Sequence, residues 1–356
     1  MTQLNQIYTL LLLVAVLPGC TTIGYYSQAI GGHASLMWSS QPVDELLQAP
    51  DTAPALAGKL TVAREARRFA QQRLALPVGE AFTEYSELGR PWVVVNLVAA
   101  PEFSLTPRQW CYPVAGCQAY RGYFRLEDAR EEQRTLAARG YDTFIGGVTA
   151  YSTLGWFDDP LHSGFTSLPE DRMVALMFHE LAHRVVYVDE DTAFNESFAT
   201  AVELEGLRLW LEQRGDSARF HAALQRLAQR NQTLALVDDT VASLERLYQR
   251  AEQAPVAELR QQKQQLMAGL AERYNALAAG WEEPGPFGDS VSTLNNANLA
   301  LFRQYNQYVP GFRQLLREHD YNFTDFFVQV RALAAQDAGE RTRRLALLSE
   351  RFNEHL

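Results

Sequence analysis

Cysteine and histidine are scarce in this chain, and their scarcity sets the first limits. Three cysteines and seven histidines among 356 residues cannot build a disulfide-dense small domain or a multi-zinc scaffold, yet they suffice for one bridge and one metal site. Basic residues are short too. With 32 Lys and Arg against 42 Asp and Glu the net charge is -10, which leaves no electrostatic footprint for a phosphate backbone and argues against nucleic acid as a partner. There is no internal repeat at solenoid period. What remains, 47% hydrophobic and 21% charged residues, is the composition of a globular protein of one large or two modest domains.

The apolar run Ile7 to Leu17 is too short to span a bilayer as a mature helix but has the length of a secretory signal core. It leads into Leu17-Pro18-Gly19-Cys20, which resembles the lipobox of bacterial lipoproteins, so residues 1–19 read as a signal peptide and Cys20 as the lipidated first residue. Met1 to Thr9 carries no Lys or Arg, a departure from that pattern, and a plain buried amino-terminal helix is the competing reading. Thr21 after the cysteine implies, by the same resemblance, an outer-membrane protein facing the periplasm, anchored in the membrane through Cys20. Export then bears on Cys111 and Cys117, which enclose a short loop in WCYPVAGC. In an oxidising compartment a disulfide is favoured over a pair of metal thiolates, since no second cysteine pair completes a cage.

The expected fold class is α+β. A lead-in over 20–59 precedes a sheet-containing region over 60–166, with a helix from Leu60 to Leu76 and strands at Trp92–Val98, Trp110–Tyr112, Gln118–Phe124 and Asp142–Tyr151 around a charged helix, Leu126–Arg139. From 167 onward nearly everything reads as helix: site helices over 167–215, a long helical hairpin over 216–280 projecting from the body and able to bind a protein partner, and a helical region over 281–356.

The chemistry concentrates in MVALMFHELAHRVVYVDEDTAFNESFATAVELEG. Ser167-Leu168-Pro169-Glu170 has the form of a capping box, predicting a helix from about Leu168 to Val186. His179 and His183, four apart, project from one face of it and can grip one zinc ion, while Glu180 is rotated toward the open side of the metal as a general base. Catalytic zinc takes a third protein ligand. Glu196, in the first turns of a helix expected to start near Asp191 or Thr192, fills that role after a short turn and an antiparallel return. Glu203 shares the Glu196 face and can hold a ligand histidine by its second nitrogen, with Thr200 as the competitor. Composition alone gives about 0.02 expected occurrences of His-acid-x-x-His, and burying two imidazoles and an acid with no basic partner is costly without a metal.

HELAH followed by NESFA is similar to the gluzincin metallopeptidases, among them thermolysin and the leukotriene-hydrolase-type aminopeptidases, whose third ligand is the Glu of an Asn-Glu pair. The lipobox, WCYPVAGC, YRGYF, YSTLGWFDDP and NNANLALFRQYNQYVPGF resemble the bacterial family of predicted aminopeptidase lipoproteins over most of the chain. The resemblance implies a zincin-like helical domain and hydrolysis of peptides in the cell envelope, with one Zn2+. The spacing from His183 to Glu196 is shorter than in thermolysin, so substrate contacts do not carry over. An oxyanion donor is expected among Tyr151, His162, Tyr187, Tyr305 and Tyr308, with Tyr305 and Tyr308 foremost by analogy with clefts closed from downstream. Gly146 and Gly147, in a strand ahead of the zinc helix, together with Tyr151 are candidates for binding an extended substrate. Glu170, Asp158 and Asp159 are candidate anchors for a free amino terminus. The alternatives are a zinc endopeptidase or cell-wall peptide hydrolase, and a non-catalytic envelope scaffold with a structural metal.

Overall fold

The computed structural model describes residues 20–112, 116–149, 158–302 and 307–352; the proposed signal peptide, Tyr151 and Tyr305 lie outside them. Chain order begins with helix α1 (Cys20–Trp38), strand β1 (Gln41–Pro42) and helices α2 (Val43–Gln48) and α3 (Pro54–Arg73). Strands β2 (Glu84–Ser86), β3 (Val94–Pro101), β4 (Trp110–Tyr112), β5 (Gly116–Gln118) and β6 (Arg121–Tyr123) follow, then α4 (Leu126–Ala137), β7 (Tyr141–Val148) and β8 (Leu161–His162). The rest is helical: α5 (Ser163–Thr166), α6 (Glu170–His183), α7 (Thr192–Gln213), α8 (Ala218–Tyr248), α9 (Val256–Ala278), a 3-10 turn at Gly288–Thr293, α10 (Asn296–Phe302), α11 (Val309–Glu318), α12 (Phe323–Ala334) and α13 (Ala338–Arg351). The class is α+β, as the sequence predicts.

The strands form three small sheets: β1-β2-β8, mixed; β6-β3-β7, antiparallel; and the hairpin β4-β5. Cys111 and Cys117 stand opposite each other across that hairpin and are disulfide-bonded, with Cα atoms 3.9 Å apart. The run read as one strand, Gln118–Phe124, is two, because β5 pairs with β4 and β6 with β3.

The expected lead-in is not irregular. Residues 20–38 are helical in spite of Gly24, Gly31 and Gly32, because tertiary contacts outweigh a weak local propensity. Gln28 caps the outer edge of β6, its amide donating to Gly122 O at 3.2 Å and its carbonyl accepting from Phe124 N at 3.0 Å, and the Arg121 guanidinium lies 4.1 Å over the Tyr25 ring. An otherwise unpaired sheet edge is thereby covered.

The main core joins α3, α6, α7, α11, α12 and α13 around Leu60, Phe69, Phe178, Phe198, Phe312 and Phe326. Gly206 of α7 is part of that packing: a Cβ there would stand 2.8 Å from Leu74 and 2.9 Å from Phe178, so its smallness sets how closely α7 approaches α6.

The hairpin over 216–280 forms as α8 and α9, but it is strapped to the body, not projecting from it. Lys263 bonds Asp142 Oδ2 at 2.5 Å and Glu102 O at 2.8 Å, and Arg260 bonds both oxygens of Glu102 at 2.6 and 3.0 Å. Asn296 completes the strap, accepting the Tyr248 hydroxyl at 2.8 Å and donating to Glu102 O at 3.0 Å. Apart from Tyr248 and Asn296, these partners are more than a hundred residues apart in sequence, beyond the reach of any periodicity. Among the described residues no helix is long and apolar enough to cross a membrane.

Candidate metal centre

Helix α6 starts at Glu170, not Leu168. Ser167 is taken by the preceding turn, its hydroxyl donating to Gly164 O at 3.0 Å, so the capping box does not form and Pro169 stands at the N-cap without a side-chain bond. After fourteen residues in all, α6 ends at His183, and the chain reverses through Glu190, whose φ of 61° puts it in the left-handed region seldom occupied outside glycine.

The reversal is held by two side chains. Asn195, buried to 1% exposure, accepts the Val188 amide and donates to the Val188 carbonyl, both at 2.8 Å. Asp191 caps α7 by accepting from Phe194 N at 3.1 Å, and its second oxygen receives Arg341 of α13 at 2.7 Å. Glu196 follows directly on this clamp, and its carboxylate is returned to the histidine face of α6.

There the side chains converge. His179 Nε2 and His183 Nε2 are 3.2 Å apart, and Glu196 lies 3.3 Å from the first and 3.8 Å from the second; all three donors fall within 4.8 Å of one another. On the far side of the ring, His179 Nδ1 meets Glu203 Oε2 at 3.0 Å. With a metal bound, a proton on Nδ1 shared with Glu203 would leave the Nε2 lone pair facing the cluster, the usual arrangement behind a metal-binding imidazole.

The electrostatics express the crowding. Burial alone pulls the His179 pKa down, but hydrogen bonds and charges from Glu196 and Glu203 outweigh it and hold it well above its ordinary value. Burial and the neighbouring His179 charge lower His183 to about 4. Burial pushes Glu196 up, yet the His179 bond and the charges of His179, His183 and Arg230 bring it below its ordinary value. Burial raises Glu180 to about 7, with Glu196, Asp159 and Glu203 adding to the rise and His179 opposing it. Two ring nitrogens facing each other beside a carboxylate, with His183 Nδ1 buried and without a hydrogen-bond partner among the described residues, form a donor set of the composition and size that a divalent ion takes. The group His179, His183 and Glu196 can therefore hold a metal.

Of the remaining expected tyrosines that are described, Tyr187 is the one with its ring near a ligand, 6.5 Å from that of His183. Tyr308 donates its hydroxyl to Thr342 at 3.3 Å and its backbone N–H to Ser197 Oγ at 3.1 Å. His162 caps α5 from within the core, accepting Gly164 N at 3.2 Å. Gly146 and Gly147 pair with Asn96 and Val95 of β3; a Cβ on Gly147 would press on Trp92 at 3.2 Å. Asp158 is bound by Arg184 at 3.1 Å, whereas Asp159, buried, stands where its charge acts on Glu180.

Beside Glu203 and Thr200 opens a cleft of about 420 Å³ between α6, α7 and the start of α8, lined also by Thr149, Arg172, Arg226 and Arg230. The arginines were not legible as site residues. Arg226 and Arg230 belong to the insertion, and only the docking of α8 against α7 brings them here.

Comparison with protein families matches residues 24–345 to one described as "Putative aminopeptidase". No curated protein and no solved structure matches the chain. Because that match runs through both site helices and the insertion and covers most of the chain, the protein belongs to this family, and membership supports a peptidase role.

Proposed function

We propose that the protein is a zinc-dependent aminopeptidase of gluzincin type, working in the cell envelope and tethered by lipid on Cys20. The observation that carries the reading is the convergence of His179, His183 and Glu196, with Glu180 beside the first of them and Glu203 behind it.

Zinc on this donor set would supply Lewis acidity toward the scissile carbonyl and make water more acidic at neutral pH. The chain supplies the proton handling. Glu180, near 7 because of burial, accepts the proton of the attacking water and delivers it to the leaving amine, a task best done by a group titrating close to the working pH. Glu203 keeps His179 in one tautomer and orientation throughout. Among the described residues, Tyr187, with its ring 6.5 Å from that of His183, is the hydroxyl assigned to the developing oxyanion, and Asp159, whose charge acts on Glu180, the acid assigned to a substrate ammonium. An extended substrate is served by β7, an edge strand of its sheet. Asn295 donates to Thr143 O at 3.0 Å on the edge away from β3, and antiparallel alternation turns the backbone of Ile145 and Gly147 to the same edge.

Metal analysis of purified protein together with cleavage of amino-acid amides and amino-blocked peptides tests the reading. Stoichiometric zinc and chelator-sensitive hydrolysis restricted to free-amine substrates is the expected result; a metal-loaded protein inert toward every peptide, free or blocked, refutes it.

A further inference from the structure

Helix α1 carries no Asp, Glu, Lys or Arg. At the chain's 21% of charged residues, about four would be expected among its 19 residues. The first such residue after Cys20 is Asp44. One face of α1 is committed to the body. Gln28 caps β6, the Tyr25 ring stacks on Tyr112 at 5.3 Å, and Leu36 is buried with Val93 and Phe124. A Cβ on Gly32 would collide with the Phe124 ring, so the helix is seated as closely as its backbone allows. At about 100° per residue, Tyr25, Gln28, Gly32 and Leu36 occupy an arc of about 80°.

The opposite arc is apolar and open. Trp38 is 88% exposed, Ile30 68% and Tyr26 36%, and with half-buried Met37 they lie within about 120° of one another. Single exposed apolar residues are ordinary, but a stripe of them on a helix without charge marks a surface that meets something apolar. The start of the same helix says what. Cys20, the proposed lipid attachment, is the first residue of α1, so acyl chains there would hold its first turn at a bilayer. Not apolar enough to cross, a helix about 28 Å long tethered at that end can lie along the surface. Tyr and Trp settle at the boundary between head groups and acyl chains, and an uncharged face enters it without stripping water from an ion. The sheet order β6-β3-β7 then sets the orientation: α1 covers the β6 edge, and β7 is the edge farthest from it.

We propose that the outer face of α1, formed by Tyr26, Ile30, Met37 and Trp38, lies in the head-group boundary of the bilayer that holds the acyl chains of Cys20, with β7 turned away from the lipid. This contact rests on the lipid-anchor reading above and goes beyond it, since acyl chains hold a protein at a membrane without setting which side of it faces the lipid.

The test uses protein expressed from the full sequence, extracted in detergent and transferred to preformed phosphatidylcholine vesicles with or without bromine on the acyl chains. Tryptophan emission is the probe. The difference between wild type and Trp38→Phe isolates position 38, and Ile30→Trp, Val256→Trp and Val328→Trp in the Trp38→Phe background report the stripe and two exposed positions on α9 and α12. Emission from positions 30 and 38 is expected to be quenched by brominated lipid and shielded from acrylamide, equally at low and high salt, because an uncharged face gains nothing from ionic attraction. Positions 256 and 328 should stay open to acrylamide and untouched by bromine. No difference between the two pairs overturns the proposal. Shielding of the stripe from acrylamide without quenching by bromine also overturns it, since a second copy or another protein then covers α1. Protection lost at high salt overturns it in favour of charged groups elsewhere. The mass of the amino-terminal peptide from the same preparation separates this contact from the anchor. Acylated Cys20 with an open stripe overturns the contact and leaves the anchor, a stripe in lipid without acyl chains overturns the anchor and supports the contact, and neither overturns both.

Discussion

Glu203 stands 3.0 Å behind His179, on the nitrogen that does not face the ligand cluster. Its carboxylate holds the ring plane of His179 from the side away from the ligand cluster, and it sits seven residues, two helical turns, beyond Glu196 on the same face of α7. Removing it should leave the ligands in place but loosen their aim. Glu203→Ala is expected to weaken zinc binding about ten- to a hundredfold, read by competition with a chromophoric chelator. An unchanged affinity would mean that the contact is incidental.

Glu180 makes the opposite prediction. Glu180→Gln keeps size and hydrogen-bonding capacity but cannot accept a proton, so zinc content should hold while kcat falls about 10²- to 10⁴-fold. Metal analysis and steady-state kinetics on one preparation decide it, and full activity in the variant would remove Glu180 from the chemistry.

Asn195 couples stability to metal affinity. Its amide pairs with both backbone groups of Val188 at 2.8 Å from a buried position, so Asn195→Ala strands a donor and an acceptor and should cost on the order of 2 kcal/mol. Because the same clamp delivers Glu196, zinc affinity should drop with it. Denaturant unfolding and metal titration are the measurements; a stability loss with unchanged affinity would show that Glu196 finds its place independently of the turn.

His162 predicts a pH dependence away from the metal. Burial, assisted by the charge of Arg90, lowers its pKa from 6.5 to about 4, and its Nε2 meets no partner among the described residues. With the folded pKa below the unfolded one, the unfolded chain binds more protons between those values. The stabilisation is therefore complete above about pH 6.5, is lost as pH falls toward 4, and amounts to on the order of 3 kcal/mol. Thermal unfolding of the wild type and of His162→Gln between pH 7 and 4 should show a steeper fall in the wild type; parallel curves would contradict it.

Local pattern made the centre legible. Spacing four put His179 and His183 on one helix face, spacing seven put Glu203 in line with Glu196, and α7 starts at Thr192, where the sequence places it. These relations live within one helix, where 3.6 residues per turn converts sequence distance into geometry. The capping box at Ser167 misled because a helical turn immediately upstream claimed its hydroxyl. Within the lead-in over 20–59, the glycines of 20–38 say nothing of the sheet edge that Gln28 covers.

Residue type and short-range periodicity were enough to give the α+β class and to bring out His179, His183 and Glu196 as a group able to hold a metal, with Glu180 next to the first of them. Only the tertiary structure decided that Tyr308 turns its hydroxyl to Thr342, that the α8–α9 hairpin is strapped to β7 by Lys263, and that Arg226 and Arg230 face the cleft beside Arg172. Those are contacts between segments far apart in the chain. Hydrophobic burial that brings them together is non-directional, so a linear pattern records which faces are apolar but not which face meets which.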